Sequence, residues 1–257
     1  MEQEKREEKP TILLTVKNNE GEIIRRIEGP AKKGFHRVSW DLRYSLKFSI
    51  DKHSKKKANE WWTPKGFLAE PGTYSVTLSK KINGVVTNLS EPQNFEVVPL
   101  QKGTLEGSSY KEALTFMNEV ENLYSEIGAF EISLKHTHLK VDAMKKALAL
   151  SEAVPGNLDK KIHDLKQNLF LLDEKLFGKK SKSSIGEKRK PNIYNRINAA
   201  YMGVYESTYG PTPVFINSLE IANSEFQLIK IELEDIITNR IPEIEQELKK
   251  AGAPLIR

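Results

Sequence analysis

The chain has 257 residues, 38% hydrophobic and 29% charged, with 40 basic and 35 acidic side chains and no cysteine. That length allows one large domain or two ordinary ones, and the composition is that of a folded protein. A formal charge of +5 over this length does not imply nucleic acid, and the lack of cysteine excludes disulfides, thiolate chemistry and the commonest zinc ligand. The opening MEQEKREEKP is polar and lacks the apolar core of a signal peptide. No apolar run approaches the roughly 20 residues that a membrane-spanning helix needs, so the expectation is a soluble chain with no membrane span.

The first predicted strand has Ile12, Leu14 and Val16 alternating with Leu13 and Thr15, the period of a half-buried strand. Asn18-Asn19-Glu20-Gly21 signals a turn, and Ile23, Ile24 and Ile27 form a second strand that Gly29-Pro30 ends. A third strand is predicted with His36, Val38, Trp40 and Leu42 on its inward face and Phe35, Arg37, Ser39 and Asp41 on the other. Between Tyr44 and Gly66 the pattern fails, and this stretch, with Lys55-Lys56-Lys57 and Trp61-Trp62, reads as a long insertion. Pro71-Gly72 predicts a type II turn before an inward face of Tyr74, Val76 and Leu78. Asn83-Gly84 predicts a two-residue hairpin, and Phe95 and Val97 close the set. Short strands punctuated this often predict an antiparallel β-sandwich over residues 10–100.

From Gly107 the period changes. Ala113, Met117, Val120, Tyr124 and Ile127, then Phe130, Leu134, Val141, Met144 and Leu148, predict one helix of roughly 40 residues, about 60 Å long. After Pro155-Gly156, Leu158, Ile162, Leu165, Leu169, Leu172 and Leu176 make a heptad stripe that Gly178 caps. Lys179 to Lys190 is a polar basic loop, and Ile193, Ile197, Ala200 and Val204 mark a short third helix. Thr212-Pro213 predicts an N-cap and first helical position, followed by Phe215, Leu219, Ala222, Phe226, Ile229, Leu233 and Ile236. Ile237, Ile241, Ile244 and Leu248 continue on a shifted stripe, with a kink expected at Pro242. Single apolar stripes and short connections predict an antiparallel bundle of about four helices over residues 107–252. The fold class is thus multidomain α+β.

Little in the chain carries chemistry. His136 and His138 lie two apart on a helix and cannot share a metal as an i, i+4 pair would, while His36, His53 and His163 are scattered. There is no nucleophile elbow, phosphate loop or dinucleotide fingerprint. No cofactor and no catalytic residue is expected. Glycoside hydrolysis needs two carboxyl groups across a sugar, and Asp41, Asp51, Glu60 and Glu70 are the candidates. Asp41, however, follows a tryptophan at a strand end, where a carboxylate bonds backbone amides or pairs with a neighbour such as Arg43. Trp61 and Trp62 are the candidate ligand-binding residues, since exposed rings suit a sugar or a protein partner. The competing reading is that one ring folds back over the sheet edge. The basic loop could meet an anionic surface, but a solvated connection explains it as well.

The segment GPAKKGFHRVSWDLRY, followed by FLAEPGTYSVTL, resembles the Ig-like domain shared by the flagellar hook-capping protein and many secreted bacterial proteins. Gly34, His36, Arg37, Trp40, Asp41, Pro71, Gly72, Tyr74 and Val76 carry the match. Leu42-Arg43-Tyr44 departs from the hook-capping form, which has glycine after the aspartate. The W-D-L-R-Y version is similar to bacterial sortilin-like (VPS10-type) β-propeller proteins, often labelled glycosyl hydrolases. IYNRINAAYMGVYESTYGPTPVF and LKKAGAPLIR look like their C-terminal helical region. The resemblance implies a C-terminal accessory region that supports or docks a propeller in an extracytoplasmic bacterial setting. Hydrolytic chemistry would then belong to the propeller. The alternative it leaves open is a carbohydrate-binding region that holds a glycan through the Trp61-Trp62 loop. Nucleic acid is not an expected partner.

Overall fold

The computed structural model describes residues 7–52, 65–101, 106–179 and 190–256. It is a mixed α+β structure that divides into two compact units. The sheet unit comprises Met1–Lys47, Lys56–Met117 and Ser207–Gly210; the helical unit comprises Phe48–Lys55, Asn118–Glu206 and Pro211–Arg257.

The strands of the sheet unit are β1 (Thr11–Lys17), β2 (Ile23–Gly29), β3 (Gly72–Ile82), β4 (Val85–Asn88) and β5 (Gln93–Val97). All pair antiparallel in the order β2-β1-β3. β4 and β5 share the remaining edge of β3, β4 along Ser79–Ile82 and β5 along Gly72–Val76. The β1–β2 turn forms because Asn18 Oδ1 accepts from the amides of Glu20 and Glu22, while Gly21 supplies a φ of +83°. The β3–β4 hairpin has Asn83 and Gly84 at φ +48° and +80°, the two positive values its tight turn demands. The register slips at Val16/Lys17, opposite Ile24 and Arg25 of β2. Such a bulge re-aims side chains, and here Ile24 enters the core with Val16 and Tyr74. Ile27, Trp40, Tyr44, Ala69, Val76, Phe95 and Val97 pack around these three.

Two local expectations change. Residues 31–42 form no strand, although Val38 and Trp40 are half-buried as their alternation suggests; His36 and Leu42 are exposed. Leu42 has φ +56°, which ends any ladder, and what pairing exists is a bridge between Arg43 and Leu68. Gly72 lacks the positive φ of a type II turn; it opens β3 opposite Val97.

The helices are α1 (Tyr110–Leu148), α2 (Asn157–Phe177), α3 (Ile193–Tyr205), α4 (Pro213–Asp235) and α5 (Ile241–Lys250). α1 starts in a capping box: Ser109 Oγ accepts from the Glu112 amide, and Glu112 accepts from the Ser109 amide and hydroxyl. These bonds hold the Glu112 carboxyl below the usual range. The heptad stripe of α2 is buried at every position, and Gly178 ends the helix at φ +78°. Asn192 caps α3 by accepting from the Asn195 amide, and Pro213 takes the first position of α4 after Thr212. Ion pairs flank the apolar stripes: Lys166–Asp142, Lys230–Glu126, Lys175–Glu232, Lys140–Glu245, and Lys161 with Glu243 and Glu247. The order of Lys166–Asp142 and His138–Asp173 sets α2 antiparallel to α1, and that of Lys175–Glu232 and Lys161–Glu247 sets it antiparallel to the run from α4 into α5.

Between α4 and α5 lies a π-helical turn, Ile236–Arg240, in which the Ile241 amide reaches the carbonyl of Ile236. Pro242 has no amide proton and its ring crowds the carbonyl four residues back. One inserted residue relieves that crowding and rotates the stripe, so Ile236 and Ile241 are both buried while Ile237 is 39% exposed. Ile236, Ile241, Ile244 and Leu248 are buried as their stripes predict, and Ile237 alone leaves the expected stripe.

Candidate functional site

The W-D-L-R-Y residues form a compact knot in the sheet unit. Trp40 Nε1 donates to the Arg43 carbonyl at 2.9 Å, so indole and backbone close a three-residue loop. Within it Asp41 Oδ1 accepts from the Arg43 amide at 3.3 Å. Arg43 Nη1 donates to the Gly66 carbonyl at 2.8 Å. The Tyr44 amide donates to Phe67, the Ala69 amide to Leu42 and the Ser45 amide to Ile24. Arg25 Nη1 returns a bond to the Tyr44 carbonyl. The Trp40 ring meets Tyr74 edge-on at 5.4 Å and Phe95 at 6.1 Å. Burial, then the neighbouring Tyr74 and Glu70, push the Tyr44 phenol well above its ordinary value; Tyr74 is raised as well, by burial first and then Glu70.

Asp41 is exposed and bonds within its own turn. Glu70 offers its carbonyl to the Tyr74 hydroxyl at 2.8 Å. Asp51 belongs to the helical unit, with its carboxylate 3.8 Å from His136 and 4.0 Å from Lys135. Glu60, Trp61, Trp62 and His53 lie outside the described residues. His36 contacts the Lys32 carbonyl at 2.8 Å, and His138 contacts Asp173 at 2.8 Å. Among the described residues, no group of three or more metal-ligating side chains occurs, and no helix is long and apolar enough to cross a membrane.

No family model, curated protein or solved structure matches the chain.

Sequence reasoning missed two features of the helical unit. Glu121 is buried at 2% exposure on α1, although its place beside Val120 reads as the polar flank of the stripe. It has a partner in the fold and is one carboxylate where glycoside hydrolysis needs two. The second is an aromatic cluster. Phe48 stacks on Tyr124 at 4.7 Å and 16°, and Tyr124 meets Tyr201 at 5.0 Å. Tyr201 stacks on Tyr205, and the hydroxyls of Tyr124 and Tyr194 are 3.4 Å apart. Burial and the Tyr194 hydroxyl raise the Tyr124 phenol above its ordinary value. The spacing Tyr194, Tyr201, Tyr205 places three phenols along one helix, a signal present in the sequence. Phe48 carried none, because it sits in the stretch where strand periodicity fails.

Proposed function

We propose that this chain is a non-catalytic accessory region of a larger extracytoplasmic bacterial protein, in which it supports or docks a β-propeller. In this reading the sheet unit is an Ig-like β-sandwich whose second layer is reduced to the pairing around Arg43 and Leu68. The helical unit is its companion bundle.

The observation that carries the reading is the knot around Trp40. The motif behind the resemblance has its indole, its carboxylate and its guanidinium bonded to backbone, where they fix a loop. A residue set used this way gives a rigid shape, which suits docking, and its carboxylate is engaged within its own turn. A retaining or inverting glycosidase needs two such groups about 5–10 Å apart, one in an enclosed site that keeps it protonated.

An aryl-glycoside and polysaccharide panel on the purified chain tests this, with background hydrolysis expected. Turnover that disappears in Glu70→Gln would overturn the proposal. Calorimetric glycan binding that is lost in a Trp61→Ala, Trp62→Ala double variant would favour the carbohydrate-binding alternative instead.

A further inference from the structure

Three segments of the sheet unit meet at one end of its sheet. β1 enters there, with Ile12 opposite both Gly29 and Lys80 and Thr11 opposite Lys81. β2 leaves there at Gly29, and β3 turns there into β4, with Ile82 opposite Val85. The loop after Gly29 comes back to its own base, since Val38 lies 3.3 Å from a Cβ built on Gly29. Within it His36 Nε2 bonds to the Lys32 carbonyl at 2.8 Å and Gly34 takes φ +121°, which fixes residues 32–36 as a turn. The Phe35 ring on that turn is fully exposed and contributes nothing to the core. On the hairpin Ile82, Val85 and Val86 are 43%, 67% and 55% exposed. The same end carries Lys9, Lys32, Lys33, Arg37 and Lys80, all exposed, and none of them has an ion-pair partner among the described residues. Lysines of the helical unit differ, for Lys166, Lys175 and Lys230 each bind a carboxylate. The acids described at this end are Glu7, Glu8 and Glu28, and Glu8 is taken up by Lys81 at 3.0 Å.

We infer that this end of the sheet is a peripheral binding surface for an anionic phospholipid bilayer. Phe35 and the 82–86 hairpin enter the interface, and the cations around them meet the lipid phosphates. The excess of unpaired positive charge selects an anionic partner. The residue types select lipid over protein. Protein interfaces are depleted in lysine, and an apolar anchor there needs a matching pocket. Lysines around protruding apolar side chains suit a fluid surface instead: the tips leave water, and the long stems let the ammonium groups reach the headgroups. At about 4.8 Å per strand, β2 and β4 stand about 14 Å apart, close enough for both tips to meet one patch of membrane. The surface belongs to the sheet unit alone and does not depend on a propeller.

Co-sedimentation of the purified full chain with vesicles tests this. Phosphatidylcholine alone is compared with phosphatidylcholine carrying about 30% phosphatidylglycerol, at about 0.1 M salt. Binding to the anionic vesicles should be at least about tenfold stronger than to the neutral ones. Phe35→Ser and the double variant Lys32→Gln, Lys33→Gln should each weaken it about tenfold. Val85→Ser reads the hairpin independently and should weaken it about threefold or more. Leu100→Ser removes an equally exposed apolar side chain beyond β5, which ends at the opposite end of the sheet, and should leave binding unchanged. Equal binding to neutral and anionic vesicles, or an equal loss in Leu100→Ser, would overturn the inference. So would anionic binding that survives Phe35→Ser and Val85→Ser together, since charge alone would then hold the chain, as it would on an acidic protein.

Discussion

At Gly66 a Cβ built on the backbone would lie 2.1 Å from the Tyr44 carbonyl oxygen. That contact is with backbone, so no side-chain rotation relieves it. Gly66→Ala therefore has to push apart the 43–45 and 66–69 segments whose bonds hold Trp40 and Tyr44 over the sheet. The expected cost is about 1–3 kcal/mol or more, the range for forced overpacking, read from the urea midpoint. An unchanged midpoint would mean that this pairing does not hold the knot. The phenols give a second residue-level prediction. Tyr44, Tyr74 and Tyr124 all have folded-state values raised above the ordinary phenol value of about 10. In the alkaline range the folded state thus holds more protons than the unfolded state. The stability they contribute is complete below pH of about 10 and is lost as pH climbs above it. Melting temperature should be flat from about pH 7 to 9 and fall above 10, and Tyr44→Phe should make that fall shallower.

Elements follow local pattern closely where one face is buried by neighbours of the same kind. The α2 stripe and the Asn83-Gly84 hairpin are of this type, and both stand in the structure as their residues predict. The segment 36–42 shows why alternation can mislead. Trp40 does pack on the core and Val38 is half-buried, but a strand also needs a partner for its amides, and the Trp40 indole and the positive φ of Leu42 close the chain on itself first. Apolar alternation reports which side chains are covered; it does not report where the backbone bonds go. The π turn before Pro242 is a similar case. That the proline disturbs the regular helix was legible, whereas the inserted residue that turns Ile237 outward was not. Ile236→Ala should cost about 2–5 kcal/mol, as for an emptied core site, and Ile237→Ala about 1 kcal/mol or less. Denaturant melts of both variants would expose an error in the register of α4 and α5 if the order were reversed.

For the whole molecule, the switch of hydrophobic period past residue 100 foretold a strand-rich part followed by a helix-rich part. Helix α1 crosses the division between the two units, with its residues up to Met117 grouped with the sheet. A continuous helix gives no sequence signal at such a point, because its period is the same on both sides. The site was less legible than the fold. W-D-L-R-Y stood out as a motif, yet only the geometry reveals it as a set of backbone clamps, since sequence spacing cannot show that an indole bonds a carbonyl three residues on. Phe48 was hidden for the opposite reason: it acts alone, in a stretch with no period to break.

As proposed, the chain serves as an accessory region of a larger protein outside the cytoplasm. An antibody raised against the purified chain, used to blot cytoplasmic, periplasmic, membrane and secreted fractions of the cells that make it, tests that claim most directly. The expected result is a band far above the 29.3 kDa of these 257 residues, in an extracytoplasmic fraction. A single cytoplasmic band near 29.3 kDa would contradict it.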